Sequence, residues 1–114
     1  MPFTTAGLNA ATGGVTAAAR FIALHTADPG STGAAEVAGG KYARQATTWA
    51  APNNGASTGT PVVVDVPAST TVTHWGVYAN ATGGTPLFSG PLPAPEAFGS
   101  AGTLTHTPTI TSSN

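Results

Sequence analysis

The side chains that could carry chemistry are few in this chain of 114 residues. Apart from three cations and two tyrosines, the titratable groups are three histidines and four carboxylates: His25, His74, His106, Asp28, Glu36, Asp65 and Glu96. Imidazole and carboxylate ligands could form a closed zinc site. However, no pair of ligands has the spacing typical of such a site, and each histidine stands alone in a predicted strand. We therefore predict that His25 and His74 are hydrogen-bonded histidines at the edge of a core, with no metal and no other cofactor.

The chain also lacks the usual groups for catalysis. It has no cysteine and no G-x-S-x-G elbow, and Ser89 and Ser100 lie beside glycines in predicted turns. Asp65 and Glu96 could act as an acid pair in glycoside hydrolysis, which needs two carboxyl groups facing one cleft. The solvent face of a strand explains Asp65 more simply. We predict that the protein has no catalytic residues and is not an enzyme.

The composition points to a subunit that is covered by neighbours. Charged residues make up 6% of the chain, against about 25% in typical soluble proteins. A surface with so little charge favours association, although a monomer kept soluble by its hydroxyl groups is the alternative. Three cations cannot build a basic groove, so we predict no nucleic-acid partner.

Two further absences bear on location. No apolar run approaches the roughly 20 residues of a membrane span, so we predict no membrane partner. The N-terminal segment has neither the positive region nor the apolar core of a signal peptide. We therefore expect synthesis in the cytoplasm of the cell that makes the protein.

The segment from Phe21 to Gln45 organises the predicted fold. Its apolar start predicts a short buried strand, and Asp28-Pro29-Gly30 predicts a rigid turn, because proline fixes φ and glycine accepts a positive φ. The following loop, Ser31 to Gly40, holds one charge, Glu36. The chain then returns through Lys41-Tyr42-Ala43-Arg44-Gln45, its densest cluster of charge.

The rest of the chain reads as short strands joined by Gly, Pro and Asn turns. Thr4-Thr5 could cap a helix through Ala6–Ala11, which Gly13-Gly14 would stop. Pro52–Gly55 predicts a hairpin turn, and Pro91–Pro95 an extended edge or loop segment. Strands are expected at residues 46–50 (anchored by a buried Trp49), 61–66, 71–79, 87–90 and 103–111.

Alternation within two strands predicts which side chains face each other. In residues 71–79, one face would carry Thr73, Trp75 and Val77, and the other Val72, His74 and Tyr78. In the last strand, a face of Leu104, His106, Pro108 and Ile110 opposes a ladder of threonine hydroxyls. Pro108 predicts an edge strand or a bend there.

These elements predict an all-β fold, an antiparallel β-sandwich with a short N-terminal helix. The length fits one domain spanning residues 1–114. Within it, residues 1–20 would form an N-terminal arm with the helix, and residues 21–111 the sandwich.

Two blocks of the sequence resemble a known family. The first is His25-Thr26-Ala27-Asp28-Pro29-Gly30, with Glu36-Val37 and Gly39-Gly40-Lys41-Tyr42-Ala43-Arg44-Gln45. The second is Thr73-His74-Trp75-Gly76-Val77-Tyr78, with Ala81-Thr82-Gly83-Gly84, Leu87-Phe88-Ser89-Gly90 and Leu92. Together they resemble the HTxDPG…EVxGGxYAR signature of small virion proteins of tailed bacteriophages, especially phages of actinobacteria. The resemblance implies a minor tail, tail-fibre-like or capsid-associated β-sandwich protein without a catalytic site.

We therefore expect a bacteriophage virion structural protein, made in the host cytoplasm and located in the virion. The leading hypothesis is a minor capsid or decoration protein that docks in many copies, with other virion proteins and its own copies as partners. Lys41, Tyr42 and Arg44 are the candidate contacts with an acidic patch on a partner. The alternative for these three is a packed strand start with solvated cations.

The alternative function is a minor tail or tail-fibre-like protein, including a module that binds carbohydrate on the host surface. That hypothesis predicts an exposed aromatic shelf with acids or amides nearby. The decoration hypothesis instead predicts that the aromatic residues are buried in the sandwich or at protein contacts.

Overall fold

The computed structural model describes residues 4–18 and 20–111. It contains one helix and eight strands in the described residues: α1 (Thr5–Ala18), β1 (Phe21–His25), β2 (Gln45–Ala46), β3 (Ala56–Thr58), β4 (Val62–Val66), β5 (Thr70–Tyr78), β6 (Phe88–Phe98), β7 (Gly102–His106) and β8 (Thr109–Thr111). A four-stranded sheet has the order β2-β1-β5-β6, and two-stranded sheets pair β3 with β8 and β4 with β7. Every pair is antiparallel. The predicted all-β, sandwich-like fold with an N-terminal helix is confirmed.

The described helix is too short to cross a membrane.

Strand β1 lies inside the four-stranded sheet, as its apolar sequence predicts. It pairs with β5 along its whole length, from Phe21↔Tyr78 to His25↔His74, and with β2 at its start. Four of its five residues are buried. The predicted buried strand that ends before a turn is confirmed.

The second layer consists of the two-stranded sheets, in which β3 pairs with β8 and β4 pairs with β7. The valines of β4 at alternate positions face the core, and Val63 between them is 56% exposed. In the opposing strands Leu104 and Ile110 are buried while the threonines are exposed, so the predicted alternation is confirmed. The strand expected over residues 103–111 is interrupted at Thr107–Pro108, where the proline lies, and forms β7 and β8. Between the layers lies one core: Ile22, Leu24, Val37, Val62, Val64, Val66, Val72, Trp75, Val77, Leu104 and Ile110.

The helix begins as predicted but does not end where predicted. The hydroxyl of Thr4 accepts a hydrogen bond from the Gly7 N–H at 3.1 Å, which is the expected N-terminal cap. The predicted stop at Gly13-Gly14 is wrong, because α1 continues to Ala18. Each glycine costs a helix about 1 kcal/mol relative to alanine, so another contribution must support this segment.

Contacts with the hairpin turn at residues 53–56 supply that support. Asn54 and Gly55 both have positive φ, as the Asn-Gly sequence predicts for a tight hairpin. The Gly55 N–H donates to Asn9 Oδ1 at 2.6 Å, and the buried Thr12 hydroxyl donates to the Gly55 carbonyl. Tertiary hydrogen bonds of this kind stabilise a helix that its own sequence would interrupt.

The predicted strand at residues 46–50 is mostly absent. Within this segment a strand forms only at its start, where β2 pairs with β1. Trp49 forms an isolated bridge to Gly59 and is half-buried rather than buried. The Thr60 hydroxyl accepts the backbone N–H of Thr48 at 3.1 Å. A side chain therefore takes the place of part of a strand ladder, which the local propensities could not indicate.

The predicted alternation in β5 is also wrong at one point. Val72 was expected on the face opposite Trp75 and Val77, yet all three belong to the same core. The pairing of β5 with β6 has a register irregularity between Val72 and His74, which changes the facing of the residues around it. The proline-rich segment is part of β6 and lies at the edge of its sheet, as predicted.

Candidate functional site

The loop after β1 folds back onto that strand. The Gly30 N–H donates to Asp28 Oδ1 at 2.9 Å, Gly30 has a φ of +60°, and the Gly33 N–H donates to the Pro29 carbonyl at 3.0 Å. These bonds make the rigid turn that the Asp-Pro-Gly sequence predicts. The loop then forms a bridge beside His25, which brings the Glu36 carboxylate next to the strand end.

The Arg44 guanidinium is the centre of a polar cluster around that carboxylate. Arg44 Nη2 and Nε donate to the two oxygens of Glu36 at 2.8 and 2.9 Å. Arg44 Nη1 donates to the carbonyls of Asn80 and Gly83 at 3.0 and 2.8 Å. The Arg44 side chain is only 5% exposed. One side chain thus joins the loop after β1 to the loop between β5 and β6.

Tyr42 connects the same carboxylate to the backbone of β1. Its hydroxyl donates to Glu36 Oε2 at 2.7 Å and accepts the Leu24 N–H at 3.1 Å. The loop backbone also pairs with this strand, because the Val37 N–H donates to the Leu24 carbonyl at 2.9 Å. The loop is therefore held to β1 by both side-chain and backbone bonds.

Tyr78 on β5 and His25 on β1 complete the cluster. Arg44 Cζ lies 3.6 Å from the centroid of the Tyr78 ring, which is cation–π geometry. His25 Nδ1 lies 2.8 Å from the Ala34 carbonyl, and His25 Nε2 lies 3.1 Å from the Tyr78 hydroxyl. A carbonyl only accepts, so Nδ1 carries the proton and Nε2 accepts from Tyr78. We call His25, Glu36, Tyr42, Arg44 and Tyr78 the Arg44 cluster.

The protonation states of the Arg44 cluster suit a structural role at neutral pH. Burial by itself would raise the pKa of Glu36, but hydrogen bonds from Arg44 and Tyr42 lower that pKa overall. The hydrogen bond to Glu36 raises the pKa of Arg44. Burial, followed by the hydrogen bond to Glu36, raises the pKa of Tyr42, and burial lowers the pKa of His25. The result is one ion pair with neutral neighbours, which fixes two loops.

The three candidate partner contacts have different surroundings. Tyr42 is half-buried and Arg44 is held inside the Arg44 cluster. Lys41 is exposed and lines a cleft of ≈ 460 Å³ together with Asp65 and Pro67. Contact with a partner stays a prediction for all three.

Sequence reasoning missed two members of the Arg44 cluster as partners of Arg44. Glu36 offered a signal, since it is the only charge in the loop and lies eight residues before Arg44. Tyr78 offered none, because its contact depends on the pairing of β1 with β5. The predicted hydrogen-bonded state of His25 is confirmed.

Neither of the other histidines is hydrogen-bonded to this cluster in the described residues, although His74 lies opposite His25 on β5. His74 Nδ1 is 2.8 Å from the Thr73 hydroxyl. The His106 ring lies 4.8 Å from the Trp75 ring, its pKa is lowered by burial, and its Nε2 is buried without a hydrogen-bond partner among the described residues. In residues 4–18 and 20–111, no three histidine or acidic side chains come close enough to share a metal ion.

A groove of ≈ 790 Å³ lies between α1 and residues 46–52. Phe21 and Trp49, both half-buried, lie along it with the exposed Arg20. Among the residues that the structure describes, none lining this groove has an acid or amide side chain.

The antiparallel sheets define a small protein of the β-sandwich class. Residues 3–111 match the family described as podophage GP4 fiber I protein gp80, and the chain belongs to that family. A comparison with curated proteins found no match. The protein is therefore a bacteriophage virion structural protein of a fibre family, and a component of the virion that interacts with other virion proteins.

The family assignment favours one of the two functions expected from the sequence. Capsid decoration, the leading hypothesis, is not supported, and the tail-fibre alternative fits better. The resemblance to phage virion proteins is confirmed at that level, while its restriction to phages of actinobacteria is not.

Proposed function

We propose that the chain is a fibre subunit of a tailed phage particle, held in repeated copies by neighbouring virion proteins and without catalytic function. The family match over residues 3–111 is the observation that carries this proposal. The charge distribution supports it, because Arg44 and Glu36, two of the few charged residues, are paired with each other. The remaining surface is nearly uncharged, which favours association.

The contribution of the subunit is mechanical. Arg44 holds the loop after β1 and the Asn80–Gly84 loop in one arrangement before any partner arrives. A surface that is already ordered loses little conformational entropy on docking. The rigid loops would therefore present their exposed residues to a neighbour at low cost.

Lys41 is the side chain that we propose to contact the neighbour directly. It is exposed and lies three residues before Arg44, at the edge of the ordered loop. Tyr42 and Arg44 would act by positioning it, since both are hydrogen-bonded to Glu36. An acidic patch on the partner would match its charge.

Immunogold labelling of assembled particles tests the fibre assignment. Antibody raised against the purified chain should label the fibres, and preincubation with the purified chain should abolish the label. Labelling confined to the head shell would overturn the proposal.

Carbohydrate binding is a second candidate, favoured by the groove beside Trp49 and Phe21. Aromatic rings of this kind can stack on sugar rings, although the acids or amides expected beside them are not in the lining. A glycan array tests it: binding that is lost in Trp49→Ala and kept in Trp49→Phe would support the candidate. No binding by the wild type would remove it.

A further inference from the structure

Strand β7 forms an open edge. Its backbone pairs with β4 from Val66↔Gly102 to Val62↔His106. Among the described residues, no strand pairs with its other side. An open edge presents a row of free N–H and C=O groups to any strand that can align with it.

The β6 edge is protected, whereas the β7 edge is not. β6 lies at the edge of the four-stranded sheet and carries Pro91, Pro93 and Pro95, which cannot donate hydrogen bonds to a further strand. From Gly102 to Thr107 there is no proline and no Asp, Glu, Lys or Arg. Proteins commonly place prolines and charged side chains on edge strands to prevent strand addition.

A cleft opens beside β7. A cleft of ≈ 270 Å³ lies between β6 and β7. Its lining includes Leu92, which is half-buried, and Leu104. A strand added to β7 could place apolar side chains against these leucines while its backbone bonds the open edge.

We propose that β7 pairs antiparallel with β7 of a second copy of this chain, across a two-fold axis. The strand alternates exposed Thr103 and Thr105 with the buried Leu104. In any antiparallel register that places threonine opposite threonine, the hydroxyl groups share one face and the leucines the other. The strand is thus complementary to itself.

The absence of charged side chains on β7 also supports a second copy of this chain as its partner. A residue that lies near a two-fold axis is close to its own copy in the other subunit. A charged side chain there would therefore meet a like charge. β7 has no Asp, Glu, Lys or Arg, and cross-strand threonine pairs are favourable. This inference rests on the proposed fibre subunit and names the surface through which its copies associate.

The substitution Thr105→Lys tests the pairing. The Thr105 side chain is exposed, so the change leaves the monomer core intact, yet it places two lysines near the axis. Thr71→Lys is the matched control, because Thr71 is an exposed threonine on β5, an inner strand of its sheet. Analytical ultracentrifugation should find dimers for the wild type and T71K and monomers for T105K, all with the same far-UV circular dichroism.

A charge-complementation measurement sharpens the result. Mixing T105K with T105E should restore dimers that contain one copy of each, because opposite charges then meet near the axis. A wild type that is monomeric or trimeric, or a T105K variant that stays dimeric, would overturn the pairing. A monomeric wild type whose antibody labels fibres would remove this inference and leave the fibre assignment in place.

Discussion

The guanidinium of Arg44 lies over the ring of Tyr78, with its Cζ 3.6 Å from the ring centroid. The same group pairs with Glu36 in the loop after β1. Tyr78 lies at the end of β5, so this single contact links an inner strand to two loops. The surface that we propose to dock is thereby tied to the core.

Replacing Arg44 by Lys should destabilise the protein. Lysine keeps the charge but cannot reproduce the two-point pairing with Glu36 or the hydrogen bonds to the Asn80 and Gly83 carbonyls. We expect the free energy of unfolding to fall by about 1–3 kcal/mol, because hydrogen-bond acceptors are left without a donor. Urea unfolding measures it, with the exposed Lys41→Ala as the control, expected within about 0.5 kcal/mol of wild type. Equal stability of the two variants would contradict a structural role for Arg44.

Gly33→Ala should be more damaging than Gly39→Ala. Both glycines have positive φ, at +83° and +99°, so alanine is strained at either position. At Gly33 an added Cβ would lie 2.7 Å from the Tyr78 hydroxyl, whereas at Gly39 it would meet nothing within 4 Å. We expect losses of more than about 2 kcal/mol and about 1 kcal/mol respectively. Similar melting temperatures for the two variants would show that the loop can move away from Tyr78.

Stability should fall as the pH drops below the ordinary histidine pKa of 6.5. Burial lowers the pKa of His25 and His106 in the folded protein, so the unfolded chain takes up protons first and gains stability relative to the fold. The lowered pKa of Glu36 adds a second loss below its ordinary value of 4.5, because protonation then removes the ion pair. Urea unfolding at about pH 7.5 and about pH 5 measures the first loss.

A variant of His106 distinguishes the contribution of this residue to the pH dependence from that of His25. His106→Phe keeps a ring beside Trp75 and removes a buried nitrogen that has no hydrogen-bond partner among the described residues. The variant should show a shallower decline between these pH values and no loss of stability at the higher one. An unchanged slope would assign the decline to other groups.

Gly14→Ala should stabilise the helix. Gly14 is exposed, and a Cβ added there would meet nothing within 4 Å. Alanine in a helix interior is favoured over glycine by about 0.5–1 kcal/mol. Differential scanning calorimetry should show a higher melting temperature, and a lower one would mean that α1 needs the glycine.

Replacing Pro29 and Gly30 together by Ala should lower incorporation into particles. Gly30 has a positive φ and Pro29 is buried, so the change loosens the turn that orders the docking loop. Quantitative blotting of purified particles measures occupancy, and Gly99→Ala, at an exposed position with ordinary φ, is the control. Unchanged occupancy with a lowered melting temperature would show that the turn matters for folding but not for docking.

Local patterns were sufficient for much of the fold. Alternation fixed the inward valines of β4 and the outward threonines of β7, because a strand's side chains alternate strictly between its two faces. Turn chemistry placed the rigid corner at Pro29-Gly30 and the hairpin at Asn54-Gly55, because a positive φ is cheap only for a few residue types. These features depend on residues next to each other in the chain.

The features that could not be read from the sequence depend on residues far apart in it. The helix passes through Gly13-Gly14 because a turn some 40 residues later bonds Asn9 and Thr12. Val72 joins the main core because β6 pairs irregularly with β5.

The same division holds for the candidate site. The sequence alone determined that Lys41, Tyr42 and Arg44 are a dense basic and aromatic group in a chain with little other charge. Only the tertiary structure decided that Tyr42 and Arg44 turn inward while Lys41 stays exposed. The physical reason is that a partly buried Glu36 needs hydrogen-bond donors, and the folding of its loop onto β1 brings those two side chains within reach.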